Sequence, residues 1–180
     1  MENESAPSPE LEAKPVSASK VEIAQLMQPP DANLFGNVHG GTIMKLIDNA
    51  GSIAAFRHAH RNVVSASVDR LDFLSPVYIG NLVVLYASVN YVGRSSMEVG
   101  VRVEAECLQT GSRVHCASGF LTFVALDERG NPCEIPPVIP ETDVEQRRYS
   151  DAQERRKARA HHVQRAKAEA PPCKLPRLNL

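Results

Sequence analysis

Apolar side chains recur along this chain with two different periods. Over residues 42–58 they fall at Ile43, Leu46, Ile47, Ala50, Ile53 and Ala54, the spacing of one buried helix face. Such a helix is about 25 Å long. After a loop near Arg61 the period drops to two, and long strands are expected over residues 65–74, 82–92, 97–107 and 113–125, with a short one over 21–26. The alternation is complete in the third of these: Met97, Val99, Val101, Val103, Ala105 and Cys107 stand against Glu98, Gly100, Arg102, Glu104 and Glu106. Ser75-Pro76, Ile79-Gly80-Asn81 and Gln109-Thr110-Gly111 mark the turns, and Asp127-Glu128-Arg129-Gly130-Asn131-Pro132 closes the patterned region.

Four successive strands predict an antiparallel meander, and only one helix is available to cover it. The expected class is α+β, a curved antiparallel sheet wrapped around a central helix. Both faces of the strands at 82–92 and 113–125 carry Val, Leu, Tyr or Phe, so the sheet needs a partner and a homo-oligomer is expected. No internal repeat is visible.

The flanks read differently. Residues 1–20 hold four Glu and three Pro without periodicity, and are expected to be a disordered arm rather than a secretory or transit signal. The patterned domain spans 21–140. Residues 141–180 carry ten Lys/Arg and six Asp/Glu, a net of +4, leaving −5 on the first 140. Residues 143–167 predict a helix and the end past Pro171-Pro172 is expected to fray. That basic helical extension is either a solvated surface helix or, through Arg147, Arg148, Arg155 or Arg156, a contact to a ligand phosphate or a partner.

The 180 residues suit one domain plus tails, and the overall net charge of −1 argues against a nucleic-acid partner. No apolar run is long enough to span a bilayer. The four Cys (107, 116, 133 and 173) form no C-x-x-C pair and read as free thiols in a reducing, cytoplasmic compartment.

Candidate chemistry lies in three places. In Gly36-Asn37-Val38-His39-Gly40-Gly41, two glycines precede the helix, whose free N–H groups and dipole suit an anion or an oxyanion; an ordinary Gly-rich loop reads the same way. Asp48 lies mid-helix, where a carboxylate is costly unless it is partnered or used. Gly51, Ser52 and Ala55 continue its side as a stripe of small residues along which a chain or thin ligand could lie; alternatively Asp48 pairs with Lys45 or Arg57. Arg94-Ser95-Ser96, after Gly93, is either a phosphate clasp or a simple polar turn. His39, His58, His60, His115 and His161-His162 show no ligand spacing, so neither metal nor cofactor is expected. G-x-S-x-G, G-x-G-x-x-G and P-loop patterns are absent.

The run from Met27-Gln28-Pro29-Pro30-Asp31-Ala32-Asn33 through Gly36-Asn37-Val38-His39-Gly40-Gly41-Thr42-Ile43-Met44-Lys45-Leu46-Ile47-Asp48 resembles the cytosolic, brain-type acyl-CoA thioesterases and their single-domain bacterial relatives. Asp72-Phe73-Leu74-Ser75-Pro76, Val92-Gly93-Arg94-Ser95-Ser96 and Phe120-Leu121-Thr122-Phe123-Val124 look like the same family, in the same order. The resemblance implies a hotdog fold and hydrolysis of fatty acyl-CoA to fatty acid and CoA without a cofactor. It makes Asp48 the general base or nucleophile and Asn37 the amide that orients water or substrate, contributed by different subunits. It lays the backbone at Gly40 and Gly41 against the thioester carbonyl and puts Arg94, Ser95 and Ser96 on CoA. Brain-type members fuse two hotdog units; this chain has one unit with both Asn37 and Asp48, so a homodimer holds two equivalent sites, and tetramers or hexamers are compatible. The acidic arm and basic end depart from that pattern. Two other readings compete: a hotdog enoyl-CoA hydratase or hydroxyacyl dehydratase using His39, with Asp31 and Asn33 beside it, and a non-catalytic acyl-CoA-binding protein.

Overall fold

The computed structural model describes residues 11–169, with side chains to residue 160. Its element order is β1 (Lys14–Pro15), β2 (Val21–Leu26), α1 (Gly40–Ala59), β3 (Asn62–Phe73), β4 (Asn81–Val92), β5 (Ser96–Cys107), β6 (Arg113–Leu126), β7 (Val138–Ile139) and α2 (Asp143–Glu169), with 3-10 turns at Val16–Ser19 and Pro29–Asp31.

The helix α1 outruns its predicted bounds at both ends, for local reasons. His39 is the N-cap, its ring accepting the Gly41 N–H at 2.9 Å, and His60 ends the helix in the left-handed region at φ 49°, its N–H donating to the Phe56 carbonyl. Ile43, Leu46, Ile47, Ala50, Gly51, Ala54 and Ala55 face the sheet and are buried. Ile53 does not join them as expected. It stands 41% exposed, and Met44 and Phe56 are each 50% exposed.

The five long strands form one antiparallel sheet in the order β2-β4-β5-β6-β3. The four-strand meander is therefore corrected. β4, β5 and β6 are hairpin neighbours, but β3 pairs with β6 and lies three strand spacings, about 14 Å, from β4. The seven residues 74–80 are longer than the usual hairpin loop and cross the end of the sheet, tied down by Leu74 N–H to Cys116 O (2.8 Å) and Val38 N–H to Val77 O (2.8 Å). Met97, Val99, Val101, Val103, Leu85, Leu121 and Phe123 pack beneath α1. β3 is left at one edge with Val64, Val68 and Phe73 about half exposed.

The other face of the sheet is covered by α2. Thr142 and Glu145 close a reciprocal cap: Glu145 Oε2 accepts the Glu141 and Thr142 N–H groups (2.9 and 3.3 Å), and Thr142 Oγ1 accepts the Glu145 N–H (3.2 Å). Arg155 then reaches Glu98 and Arg159 reaches Asp69 and Thr122. Glu98, which the alternation of β5 places on a polar face, is only 3% exposed.

The expectation that residues 1–20 are disordered is corrected for 14–19. β1 pairs with β7, Val16 and Ser19 are buried, and Ser19 Oγ accepts the Val89 N–H at 3.0 Å, beyond the last paired residue of β2. Residues 1–10, the end past Pro171-Pro172 and Cys173 lie outside the described residues. Cys107, Cys116 and Cys133 are free thiols.

His58 is fully buried at the end of α1, with Nε2 donating to the Pro136 carbonyl at 2.8 Å and Nδ1 facing no hydrogen-bond partner. Burial pushes its pKa below the ordinary 6.5, only partly opposed by that hydrogen bond, and the nearby Lys14 ammonium lowers it further. The unfolded chain therefore takes up this proton first as the pH falls. The stability tied to neutral His58 is full above about pH 6.5 and is lost on acidification below it. Thermal melts from pH 7.5 to 5 should show a steeper fall for the native chain than for His58→Gln; parallel curves would refute the assignment.

Candidate functional site

The loop before α1 is a built turn. Asn33 Oδ1 accepts the N–H groups of Phe35 (2.8 Å) and Asn37 (3.2 Å), the Asn33 N–H donates to the Asn37 carbonyl (2.7 Å), and Gly36 takes φ 81°. The loop presents Leu34 and Phe35 almost bare, at 100% and 89% exposure. Asn37 follows, half-buried and bridged through its backbone to Tyr78, while its side-chain amide makes no hydrogen bond among the described residues.

The two glycines divide their duties. The Gly41 N–H is committed to the His39 ring, and a Cβ on Gly41 would sit 3.0 Å from His39 Nδ1, so this glycine is explained by the cap. The N–H groups of Thr42 and Ile43 already donate to the His39 carbonyl. Gly40 is exposed, and its N–H meets no acceptor among the described residues. Of the pair, Gly40 is the donor open to a ligand.

Asp48 lies two turns into α1, about 12 Å along the axis from Gly40. It is half-buried on the open flank, between Met44 one turn before and Ser52 one turn after. Ser65 Oγ on β3 donates to Asp48 Oδ1 at 2.6 Å. The alternative pairing with Lys45 or Arg57 is not formed: no salt bridge to Asp48 occurs among the described residues, and Arg57 donates to the Lys20 carbonyl at 2.7 Å. The stripe of small residues is corrected as well. Gly51 and Ala55 are buried, and a Cβ on Gly51 would lie 3.1 Å from the Phe123 ring, so their size serves helix–sheet contact. Ser65, 17 residues away on another element, carries no local signal that could have identified it.

The hairpin at 93–96 is held by its backbone: Gly93 N–H to Ser96 O (2.7 Å), Ala125 N–H to Ser95 O (3.0 Å) and Ile135 N–H to Arg94 O (3.1 Å). Arg94 is exposed, Ser95 and Ser96 are half-buried, and their side chains make no hydrogen bond among the described residues. A groove of about 450 Å³ opens elsewhere, on the outer sheet face beside α2, lined in part by Tyr86, Asn90, Gly100, Arg102, Phe120 and Arg148. None of Asn37, Gly40, Asp48 or Arg94 borders it. Among the described residues no three His, Cys, Asp or Glu side chains converge as metal ligands, and no helix is long and apolar enough to cross a membrane.

One long helix wrapped by a five-stranded antiparallel sheet, entered through an Asn- and Gly-bearing loop and carrying a carboxylate on its open flank, defines the hotdog class. Residues 35–112 match the family model described as the thioesterase superfamily. An uncharacterized acyl-CoA thioester hydrolase of Bacillus subtilis, YkhA, is 44% identical over 149 residues, covering 81% of this chain and 87% of that one. The cytosolic acyl coenzyme A thioester hydrolase of Rattus norvegicus is 36% identical over 146 residues, 80% of this chain but 38% of that longer one. Among solved structures, an acyl-CoA hydrolase from Staphylococcus aureus in complex with butyryl coenzyme A, coenzyme A and coenzyme A disulfide superposes with a TM-score of 0.82 at 38% identity, covering 87% of this chain and 95% of that one. An apo-hexameric acyl-CoA thioesterase gives 0.82 at 38%, covering 85% and 98%. The chain belongs to the acyl-CoA thioester hydrolases of the hotdog thioesterase superfamily.

Proposed function

We propose that this protein hydrolyses the thioester of fatty acyl-CoA to free fatty acid and CoA, in a site completed between two copies of the chain. The observation that carries the chemistry is the Asp48 carboxylate. It forms no salt bridge among the described residues and is aimed by Ser65, with Oδ2 left without a hydrogen-bond partner there. A carboxylate so placed takes a proton from water or attacks the thioester carbon directly. Asn37 orients the water or the acyl group. The Gly40 N–H, at the positive end of α1, stabilises the developing oxyanion, and Arg94, Ser95 and Ser96 receive the CoA moiety.

The spacing along α1 favours a shared site, because Asn37 lies in the loop before the helix and Gly40 at its first residue, about 12 Å along the axis from Asp48 of the same chain. The β3 edge and the exposed apolar side chains of Met44 and Phe56 on α1 suit a second copy laid against them. Hexamers, as in the apo-hexameric relative, are compatible with this pairing. A cytoplasmic setting accords with the free thiols and with the rat relative's description as cytosolic.

The hydratase reading loses its base. His39 Nδ1 accepts from the Gly41 N–H, so in the neutral ring the proton sits on Nε2 and neither nitrogen offers a free lone pair. Thiol release and enoyl absorbance, followed side by side on saturated and 2-enoyl-CoA esters, separate the readings. We expect thiol release from both esters with no hydration of the double bond. Hydration without thiol release would overturn the proposal, and tight CoA-ester binding with no turnover would make the chain a carrier.

A further inference from the structure

Two adjacent arginines on α2 have different employments. Arg155 donates to both carboxylate oxygens of Glu98 (3.0 and 2.8 Å) and stacks 3.9 Å over the Phe120 ring, so it is committed to the fold. Arg156 turns toward the β4–β5 hairpin. Its Nη1 donates to Tyr91 Oη at 2.9 Å, its guanidinium lies 5.5 Å from that ring's centroid, and it packs on Gly93, where a Cβ would stand 3.4 Å from the guanidinium carbon. It remains exposed and makes no salt bridge among the described residues; neither does Arg94, next in sequence to Gly93. Glu154, two residues before it and turned to another side of the helix, is taken by Lys157 at 2.7 Å. Two arginines from distant parts of the chain thus meet one turn, Arg94 in it and Arg156 packed on it, neither with a counter-charge among the described residues. Cations that converge on one site are stabilised by an anion held between them, and guanidinium geometry favours phosphate.

We infer that Arg156 is the second arm of a phosphate clasp whose first arm is Arg94, so that the C-terminal helix forms part of the substrate site and recognises the nucleotide phosphates of acyl-CoA. The inference rests on the proposed placing of CoA at the Arg94–Ser96 hairpin. Tyr91 and Gly93 then act as a platform: the ring steers the guanidinium, and the missing Cβ lets it lie flat on the turn.

The test compares hexanoyl-CoA with hexanoyl-pantetheine, which carries the thioester but no nucleotide phosphates. Arg156→Gln, which keeps a donor for Tyr91 while removing the charge, should raise KM for the CoA ester about five-fold, the exposed-site equivalent of roughly 1 kcal/mol, with kcat held. KM for the pantetheine ester should not move, and Arg94→Gln should behave alike. An effect of Arg94→Gln alone, or an equal change with both esters, overturns the role of Arg156. No effect of either variant overturns the hairpin as the CoA site while leaving the Asp48 chemistry intact.

Discussion

Asp48→Asn is expected to lower kcat for acyl-CoA hydrolysis by about three orders of magnitude, within the 10²–10⁴ that a positioned general base contributes. The amide keeps an oxygen to accept from Ser65 Oγ, so the helix–strand contact at 2.6 Å survives and the loss falls on chemistry rather than on folding. Asp48 is only half-buried and forms no ion pair among the described residues, so no buried charge is left orphaned by the change. Stability and assembly should therefore match the native protein in thermal melts and sizing, while single-turnover thiol release collapses. KM should change little, because the carboxylate acts in the transition state more than in binding. If Asp48→Asn keeps a tenth or more of native turnover, the carboxylate is neither base nor nucleophile.

The largest structural effect is expected at Arg155. Glu98 is 3% exposed, and besides Arg155 its carboxylate is met by the Asn90 amide at 3.1 Å. That amide occupies space which a Cβ on Gly100 would invade, at 2.7 Å, so Gly100 is part of the same arrangement. Arg155→Ala would leave a charge in a low-dielectric site with one neutral donor. A partly exposed guanidinium, with 23% of its side chain accessible, gives less than a fully enclosed one, and the cost is set at about 3 kcal/mol, or roughly 6–12 °C in Tm. Adding Glu98→Gln to Arg155→Ala removes the orphaned charge and should restore most of the loss. A single variant that melts with the native protein, or a double variant no better than the single, would show that water reaches Glu98.

Much of the body was readable because its periods are clean. The β5 alternation from Met97 to Cys107 and the apolar rows of α1 depend on local geometry, and both elements formed within a residue or two of their expected bounds. What eluded the pattern was long-range. β3 pairs with β6 and reaches β4 through the seven-residue connector 74–80, and nothing within β3 distinguishes one neighbour from another. The burial of Glu98 depends on a guanidinium 57 residues away, so a polar face in the sequence became a covered one in the fold. At the candidate site, Asn37, Gly40, Asp48 and Arg94 were visible as residues out of keeping with their surroundings. Ser65, and the surrender of the Gly41 N–H to His39, follow from contacts that local spacing did not single out. The cap that starts α2, with Thr142 Oγ1 accepting the Glu145 N–H at 3.2 Å, was not read from the sequence either.

The pairing of β1 with β7 makes the beginning and the finish of the body one seam. Pro15 lies opposite Ile139, Ser17 Oγ donates to Glu141 at 3.1 Å, and Lys20 meets Glu145 at 3.0 Å, so the first stretch is basted along the stretch that leads into α2. Trimming the chain to start at Val21 would therefore not shorten an idle leader. It would unpick the stitching that sets where α2 begins, and with it the angle at which Arg155 and Arg156 come down on the sheet.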